Sequence, residues 1–394
     1  MKCTLMNKNN KVLSLEYNSK HNSFDEIYNI YNINYAPLSV LNSQNNKSGN
    51  VLKSINEWFR GRGIPSWRKD LERLLARLNV STTEELLNKA YGLSLSDQYW
   101  LKEEASEVTW DDINFFTNDF EYEAYLEASL GSSPRENRVN EKVLKSPNNT
   151  TDGMLQKGWI IENNKRILVK GTYTPNREEP FNEVLASMLS KVLNFYYCEY
   201  KISWLDNNIV SKCANFISSD EEIITAYDIF NSKKKPNNIS DYEHYLSILA
   251  EHKVPNVRRN VASMFLIDYL MLNTDRHLKN FGVIRNVNTL EWVRTTPIFD
   301  SGEAMECDKF TYNMNFSNGS GKFFNNTNKD YEEIFKIIKK DLPPINCDNL
   351  TMVVLAYKDM LNTYQKKLEI NPTRIETLVK GLQTRINILK DNLD

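Results

Sequence analysis

A chain of 394 residues, 41% hydrophobic and 25% charged, is long enough for two domains or one two-lobed domain, and these proportions exclude collagen-like, coiled-coil and wholly disordered chains. Its 49 Lys and Arg against 51 Asp and Glu leave a net charge of -2, too balanced to coat nucleic acid or anionic membrane by bulk electrostatics. Five scattered cysteines with no Cys-x-x-Cys pair, a start without the apolar core of a signal peptide, and an apolar run Met264–Ile267 broken by Asp268 predict a cytoplasmic protein with no membrane span, no disulfide framework and no direct nucleic-acid binding.

Apolar residues alternate through Lys11–Tyr17, which predicts a short strand pair followed by an Asn/Ser-rich connection to Gly49. From Val51 to about Leu130 the spacing turns helical. Leu71, Leu74, Leu75 and Leu78 share one helix face, and Ser81-Thr82-Thr83-Glu84 opens the next helix in the manner of a capping box. Residues 1–140 are therefore expected to form a mainly helical module of their own, with a regulatory or docking role. Gly131-Ser132-Ser133-Pro134 breaks it, and the stretch to Asn149 reads as a polar linker whose sequon Asn149-Thr150-Thr151 marks a polar loop.

Gly158–Ile161 and Arg166–Lys170, joined by Asn163-Asn164, predict a hairpin. A helix carrying Val184, Leu185, Met188, Leu189 and Val192 follows, and then strand-like segments at 196–204 and 209–217. Beyond Ser218 the pattern is mostly helical to the end, except for a strand-like insert, Phe281–Phe299, that turns at Asn286–Thr289.

Asn273-Thr274-Asp275-Arg276-His277-Leu278-Lys279-Asn280 precedes that insert, and Phe299-Asp300-Ser301-Gly302 closes it. An Asp-x-x-x-x-Asn loop with a second Asp at the end of a hairpin suits phosphoryl transfer: one carboxylate orients the attacking hydroxyl, while Asn and the later Asp hold Mg²⁺ against the phosphates. Either half alone is accounted for by helix capping or a turn. The two in this order favour chemistry. Lys170 ends an apolar strand and Glu183 sits on the helix that follows, as in the clamp by which kinases hold the nucleotide α/β-phosphates, although a lysine there also serves as a solvated gatekeeper. Gly153 and Gly158 have Walker-type spacing, but Trp159 and Ile160 replace the required Lys and Ser/Thr. That excludes a P-loop NTPase and leaves Thr150–Gly158 as an unspecific phosphate-covering loop. The four histidines lack metal-ligand spacing, no Gly-x-Ser-x-Gly elbow is present, and Lys233-Lys234-Lys235-Pro236 reads as a solvated loop.

Asn-Thr-Asp-x-His-x-x-Asn followed by Phe-Asp-Ser-Gly, behind a strand Lys and a helix Glu, resembles the HipA-type serine/threonine kinases of toxin–antitoxin systems from Ser146 to the C-terminus. The resemblance implies an α+β, bilobed protein-kinase-like fold: an N-lobe with a mixed β-sheet at 141–217 and a mostly helical C-lobe at 218–394. It implies ATP with Mg²⁺ or Mn²⁺ as cofactors, a Ser/Thr-bearing protein as substrate and a small helix-turn-helix antitoxin as partner. By the same likeness Asp275 is the base, Asn280 and Asp300 hold the metal, and Lys170 binds phosphate with Glu183 orienting it. His277 anchors the loop, and Cys213 and Phe216 flank the adenine. Gly153 and Lys157 would frame the phosphate loop, although Gly153-Met154-Leu155-Gln156-Lys157 departs from the family's Gly-Ala-Gln-Glu-Lys. Thr150 would be the autophosphorylated residue, with Thr151 or Ser146 as alternatives. The competing readings are a small-molecule or lipid kinase and a catalytically silent protein of the same fold. The second is disfavoured by the intact base and metal positions.

Overall fold

Four antiparallel strands open the computed structural model, which describes residues 1–45, 49–66, 68, 71–123, 125–126, 144–151, 156–325 and 327–393. β1 (Lys2–Asn7), β2 (Asn10–Asn18) and β3 (Ser23–Ile30) form a meander, and β4 (Tyr99–Glu103) joins the far side of β1 to give the order β3-β2-β1-β4. The buried face of this sheet, with Leu5, Leu13, Leu15 and Tyr17, packs against Ile55 and Phe59 of a helix at Val51–Arg60. The region is thus mixed rather than mainly helical. Its helices are α1 (Leu38–Asn45), α2 (Val51–Arg60), α3 (Leu71–Arg77), α4 (Thr83–Lys89) and α5 (Trp110–Ile113). The strand pattern is diluted in the sequence because β3 is an edge strand exposing Asp25, Glu26, Tyr28 and Asn29, so only Phe24 on it is fully buried. The start of α4 is capped one residue later than Ser81–Glu84 implies: Thr82 Oγ1 accepts from Glu85 N at 3.1 Å, and Ser81 N donates to Glu85 Oε2 at 2.9 Å.

A second sheet, order β5-β6-β8-β7, contains β5 (Lys157–Glu162), β6 (Lys165–Lys170), β7 (Tyr200–Leu205) and β8 (Asn208–Ala214). The β5–β6 turn is the expected one: Asn163 and Asn164 both take positive φ, 51° and 59°, which matches the right-handed twist of the strands. Helix α6 (Glu179–Val192) packs on β7 and β8 through Phe181, Leu185 and Leu189.

The remainder is helical as expected, in α7 (Ala226–Phe230), α8 (Asp241–Glu251), α9 (Val257–Met271), α10 (Tyr331–Ile338), α11 (Leu350–Leu368) and α12 (Pro372–Leu393). The insert forms β10 (Gly282–Asn286) and β11 (Trp292–Thr295), extended by a third strand, β9 (Glu221–Thr225), that the sequence pattern did not announce. A Cβ on Gly282 would lie 2.0 Å from the Ile224 carbonyl oxygen, so β9 and β10 pair this closely only with glycine there. A two-stranded ribbon, β12 (Ser320–Lys322) with β13 (Asn328–Asp330), is likewise too short to show a period. Every residue of α9 from Val261 to Met271 is buried, so this helix is the axis of the largest core.

The N-terminal region touches both later parts. Asn215 Nδ2 donates to Leu95 O at 3.0 Å, Ile223 N to Ser96 O at 2.9 Å, Gln98 Nε2 to Glu221 O at 2.6 Å, and Arg166 Nε to Phe115 O at 2.8 Å. Residues 144–151 are not a polar linker. Pro147–Thr150 forms a 3-10 turn in which Asn149 is buried, its Nδ2 donating to Leu86 O at 2.9 Å and Leu144 O at 2.6 Å. This buried Asn finds its partners in backbone carbonyls that the sequence cannot reveal. The break at Gly131–Pro134 lies outside the described residues. Among the described residues no helix is long and apolar enough to cross a membrane.

Candidate active site

Helix α9 ends at Leu272, whose φ of 52° turns the chain into the 273–281 loop. Asn273 Nδ2 donates to Asp268 Oδ1 at 2.7 Å, and its Oδ1 accepts from Asp275 N at 3.0 Å, which fixes the backbone of Asp275. Asn280 Nδ2 donates to Asp275 O at 3.0 Å and so joins the two ends of the Asp-x-x-x-x-Asn motif. Arg276 ties this loop to its surroundings, while His277 Nδ1 accepts from Lys279 N at 3.2 Å within the loop. Arg276 is buried, with Nε 2.8 Å from Asp268 Oδ2, Nη2 2.9 Å from Asp268 Oδ1, and Nη1 donating to Asn280 O at 3.0 Å and Phe299 O at 2.5 Å. His277 is half-exposed beside Asp275, its Nε2 3.8 Å from Asp275 Oδ2. The planar five-donor guanidinium can satisfy several acceptors from different segments, which an imidazole cannot.

The 297–302 loop brings Asp300 to the same place. Arg276 Nη2 donates to Ser301 Oγ at 2.9 Å, and Asn182 Nδ2 of α6 donates to Gly302 O at 2.9 Å and Ala304 O at 2.8 Å. Asp300 takes a φ of 57°, a left-handed conformation that Asp tolerates better than most residues. Lys170 arrives at the end of β6, and its Nζ pairs with both Glu183 Oε1 and Asp300 Oδ1. Glu183 Oε2 accepts from Ser301 N at 3.0 Å, and Lys170 Nζ lies 5.4 Å from the centre of the Tyr200 ring. Burial alone would push the Lys170 ammonium down, but Asp300 and Glu183 outweigh it and hold it protonated, with its pKa raised. Burial pushes the Asp300 carboxyl up, yet the Lys170 and Lys157 charges win and hold it well below the usual carboxylate range. Glu303 is pushed up to about 7 by burial and by the charges of Asp275 and Asp300.

The structure joins Lys170, Glu183 and Asp300 in one ion-pair cluster, and Arg276 ties the Asp275–Asn280 loop to the Phe299–Ser301 loop that carries Asp300. Lys157 pairs with Lys170 across β5–β6, and its charge reaches Asp300. Cys213, at the end of β8, packs with Tyr200, Phe216 and Phe299, and the Phe216 and Phe299 ring centres are 5.4 Å apart. Gly153 lies outside the described residues. Thr150 Oγ1 donates to Leu93 O at 3.2 Å, Thr151 Oγ1 accepts from Arg68 Nη1 at 2.9 Å, and Ser146 is buried. The Thr150 and Thr151 hydroxyls are therefore bonded to the N-terminal region, while the Ser146 hydroxyl accepts from Asn148 N.

Sequence reasoning missed two cations. Arg276 stood inside the motif, and only its partner Asp268, eight residues earlier on an apolar helix, could have signalled its role. Lys322, at the end of β12, pairs with Asp275 Oδ1 across 47 residues, and no local pattern marks it.

Whether these residues suit Mg²⁺ is decided by their donor atoms. With Asn280 Nδ2 committed to Asp275 O, the carboxamide oxygen is the end left to ligate, and Asp300 adds carboxylate oxygen; both are hard donors. Among the described residues no group of three or more His, Cys, Asp or Glu could hold a metal by itself.

The family of the HipA-like C-terminal domain matches residues 162–354. A chain of the HipA, HipB and operator DNA complex of the Shewanella oneidensis MR-1 toxin–antitoxin system is similar over 99% of both chains, at 14% identity and a TM-score of 0.53. A Helicobacter pylori proinflammatory kinase, CtkA, matches 60% of this chain and 91% of its own at 19% identity and a TM-score of 0.45. No curated protein matches the sequence. The Shewanella likeness shows the fold: an α+β architecture shared over nearly the whole length.

Proposed function

This chain carries a HipA-like C-terminal domain, and from that premise we propose that it is an ATP- and Mg²⁺-dependent serine/threonine protein kinase of the HipA type, acting in the cytoplasm. The observation that carries the reading is the position of Lys170 Nζ between Glu183 and Asp300, the latter on a loop that Arg276 ties to the Asp275–Asn280 loop. In this reading residues 141–217 are the N-lobe, residues 218–394 the C-lobe, and residues 1–140 a docking or regulatory region.

Asp300 and Asn280 hold Mg²⁺, which neutralises phosphate charge when bound. Lys170, kept charged and in place by Glu183, engages the α/β-phosphates, with Lys157 beside it. Cys213 and Phe216 line the adenine pocket, and Gly153 belongs to the covering loop. Asp275 takes the proton of the acceptor hydroxyl, and Arg276 keeps the two loops in register while it does so. The acceptor is a protein Ser or Thr, and the partner is a small helix-turn-helix antitoxin.

Thr150, or Thr151 or Ser146 in its place, is the autophosphorylation site. Its addition of about -1.5 to -2 charges would eject a segment now bonded to Leu93, Leu86 and Arg68. The binding step is tested by thermal unfolding: at a hundred times its dissociation constant, Mg-ATP should stabilise the protein by about 2.7 kcal/mol, and Lys170→Ala should abolish the shift. No shift in wild type at millimolar nucleotide would remove the kinase reading.

A further inference from the structure

We propose that Lys322 is a further catalytic residue, an ammonium that steadies the transferred phosphoryl group beside Asp275; the proposal rests on the kinase reading above. Lys322 Nζ pairs with Asp275 Oδ1, the carboxylate oxygen other than the one beside His277, and the two side chains are 28% and 30% exposed. An ion pair this exposed contributes little to stability, about 0–1 kcal/mol, so folding alone gives no reason to build it rigidly.

It is nevertheless built rigidly. A Cβ on Gly321 would lie 2.4 Å from Tyr331 Oη and 2.7 Å from the Asn273 carbonyl oxygen, and one on Gly319 would lie 2.9 Å from Leu272 Cδ2. Tyr331 N donates to Gly319 O at 3.0 Å, and Tyr331 Oη donates to Asn273 O. The ribbon backbone on the approach to Lys322 is thus pressed onto the two residues that lead into the Asp275 loop. The ammonium is delivered by a fixed strand rather than a mobile loop.

The charges around it explain the need. The charges of Asp275 and Asp300 both bear on Glu303, and the Lys322 ammonium offsets them there. Arg276 is committed to Asp268, and Lys170 to Glu183 and Asp300. In the transfer the acceptor oxygen bonds to the γ-phosphorus and its proton passes to Asp275. The bond from that phosphorus to the bridging oxygen breaks, and its electron pair leaves on ADP. Negative charge is then spread over the equatorial oxygens next to Asp275, where the Lys322 ammonium stands.

The test compares wild type with Lys322→Met, Lys322→Gln and Lys322→Arg. Calorimetry measures the affinity for Mg-ATP and for Mg-ADP with aluminium fluoride, a mimic of the planar phosphoryl group, and single-turnover assays measure transfer. Lys322→Met and Lys322→Gln should bind Mg-ATP within about threefold of wild type while losing affinity for the fluoride complex and about 10²-fold in transfer rate; Lys322→Arg should recover part of both. Unchanged fluoride affinity and rate in Met and Gln overturn the proposal, and so does an equal loss for ATP and the fluoride complex, which marks a structural role. A wild type that neither binds Mg-ATP nor transfers phosphate sinks the kinase reading itself, and this proposal with it.

Discussion

Arg276 and Asp268 face each other as a bidentate pair, Nε to Oδ2 at 2.8 Å and Nη2 to Oδ1 at 2.9 Å, with both side chains 1% exposed. The same guanidinium reaches Asn280 O, Phe299 O and Ser301 Oγ, so one side chain ties α9 to both loops of the cleft. Arg276→Ala leaves the Asp268 carboxylate buried without its cation and should cost about 3–5 kcal/mol in chemical unfolding. Because the two residues act as a unit, adding Asp268→Ala to Arg276→Ala should cost much less than the sum of the single losses. Additive losses would show that the pair does not bind the loops together.

The two aspartates should separate binding from chemistry. Asp300→Asn removes an oxygen ligand and a partner of Lys170, and should weaken Mg-ATP binding as measured by calorimetry. Asp275→Asn should leave that affinity near wild type and lower transfer by roughly 10²–10⁴-fold. Wild-type turnover in Asp275→Asn would remove Asp275 from the role of base.

How much of this was legible in the sequence depended on how local each signal is. The β5–β6 hairpin was readable because Asn163-Asn164 sits between two apolar runs, and α6 because its apolar residues recur at helical spacing. Lys170, Glu183 and Asp300 meet in one ion-pair cluster, and Asn280 is bonded to Asp275 within its motif. Of the N-terminal sheet only the strand pair around Lys11–Tyr17 was legible; β3, an edge strand with one buried residue, has no period to read. Nor was the burial of Ser146 and Asn149 legible: the Ser146 hydroxyl accepts from Asn148 N, and Asn149 Nδ2 donates to a carbonyl 63 residues away. Lys322 and the Arg276–Asp268 pair were hidden for the same reason, since their meaning lies in a partner that only the fold supplies.

Glu303 gives the cleft a pH signature in the absence of nucleotide and metal. Its carboxyl titrates near 4.5 when unfolded and about 7 when folded, because burial and the charges of Asp275 and Asp300 oppose its ionisation. The folded state therefore binds more protons across that window, and stability falls as pH rises from about 4.5 through 7. Glu303→Gln should melt higher than wild type at pH 8 and together with it at pH 4. Equal melting temperatures at both pH values would contradict the assigned environment.

Autophosphorylation should appear as added mass. After incubation with Mg-ATP, wild type should gain one phosphate and the Ser146/Thr150/Thr151 triple alanine variant none. Because Thr150 Oγ1 and Thr151 Oγ1 are bonded inside the N-terminal region, the gain should be slow, limited by release of that segment. A phosphate that persists in the triple variant places the modification elsewhere.

In the kinase reading, Asp275, Asn280, Asp300 and Lys170 together transfer phosphate from ATP to a protein hydroxyl. Its most direct measurement is incubation of the purified chain with γ-labelled ATP and Mg²⁺, alone and with a cytoplasmic extract as a source of acceptors, followed by mass spectrometry of the labelled sites. Label on Ser or Thr with wild type, and none with Asp275→Asn, is the predicted result. No label above the Asp275→Asn background under any of these conditions would contradict it.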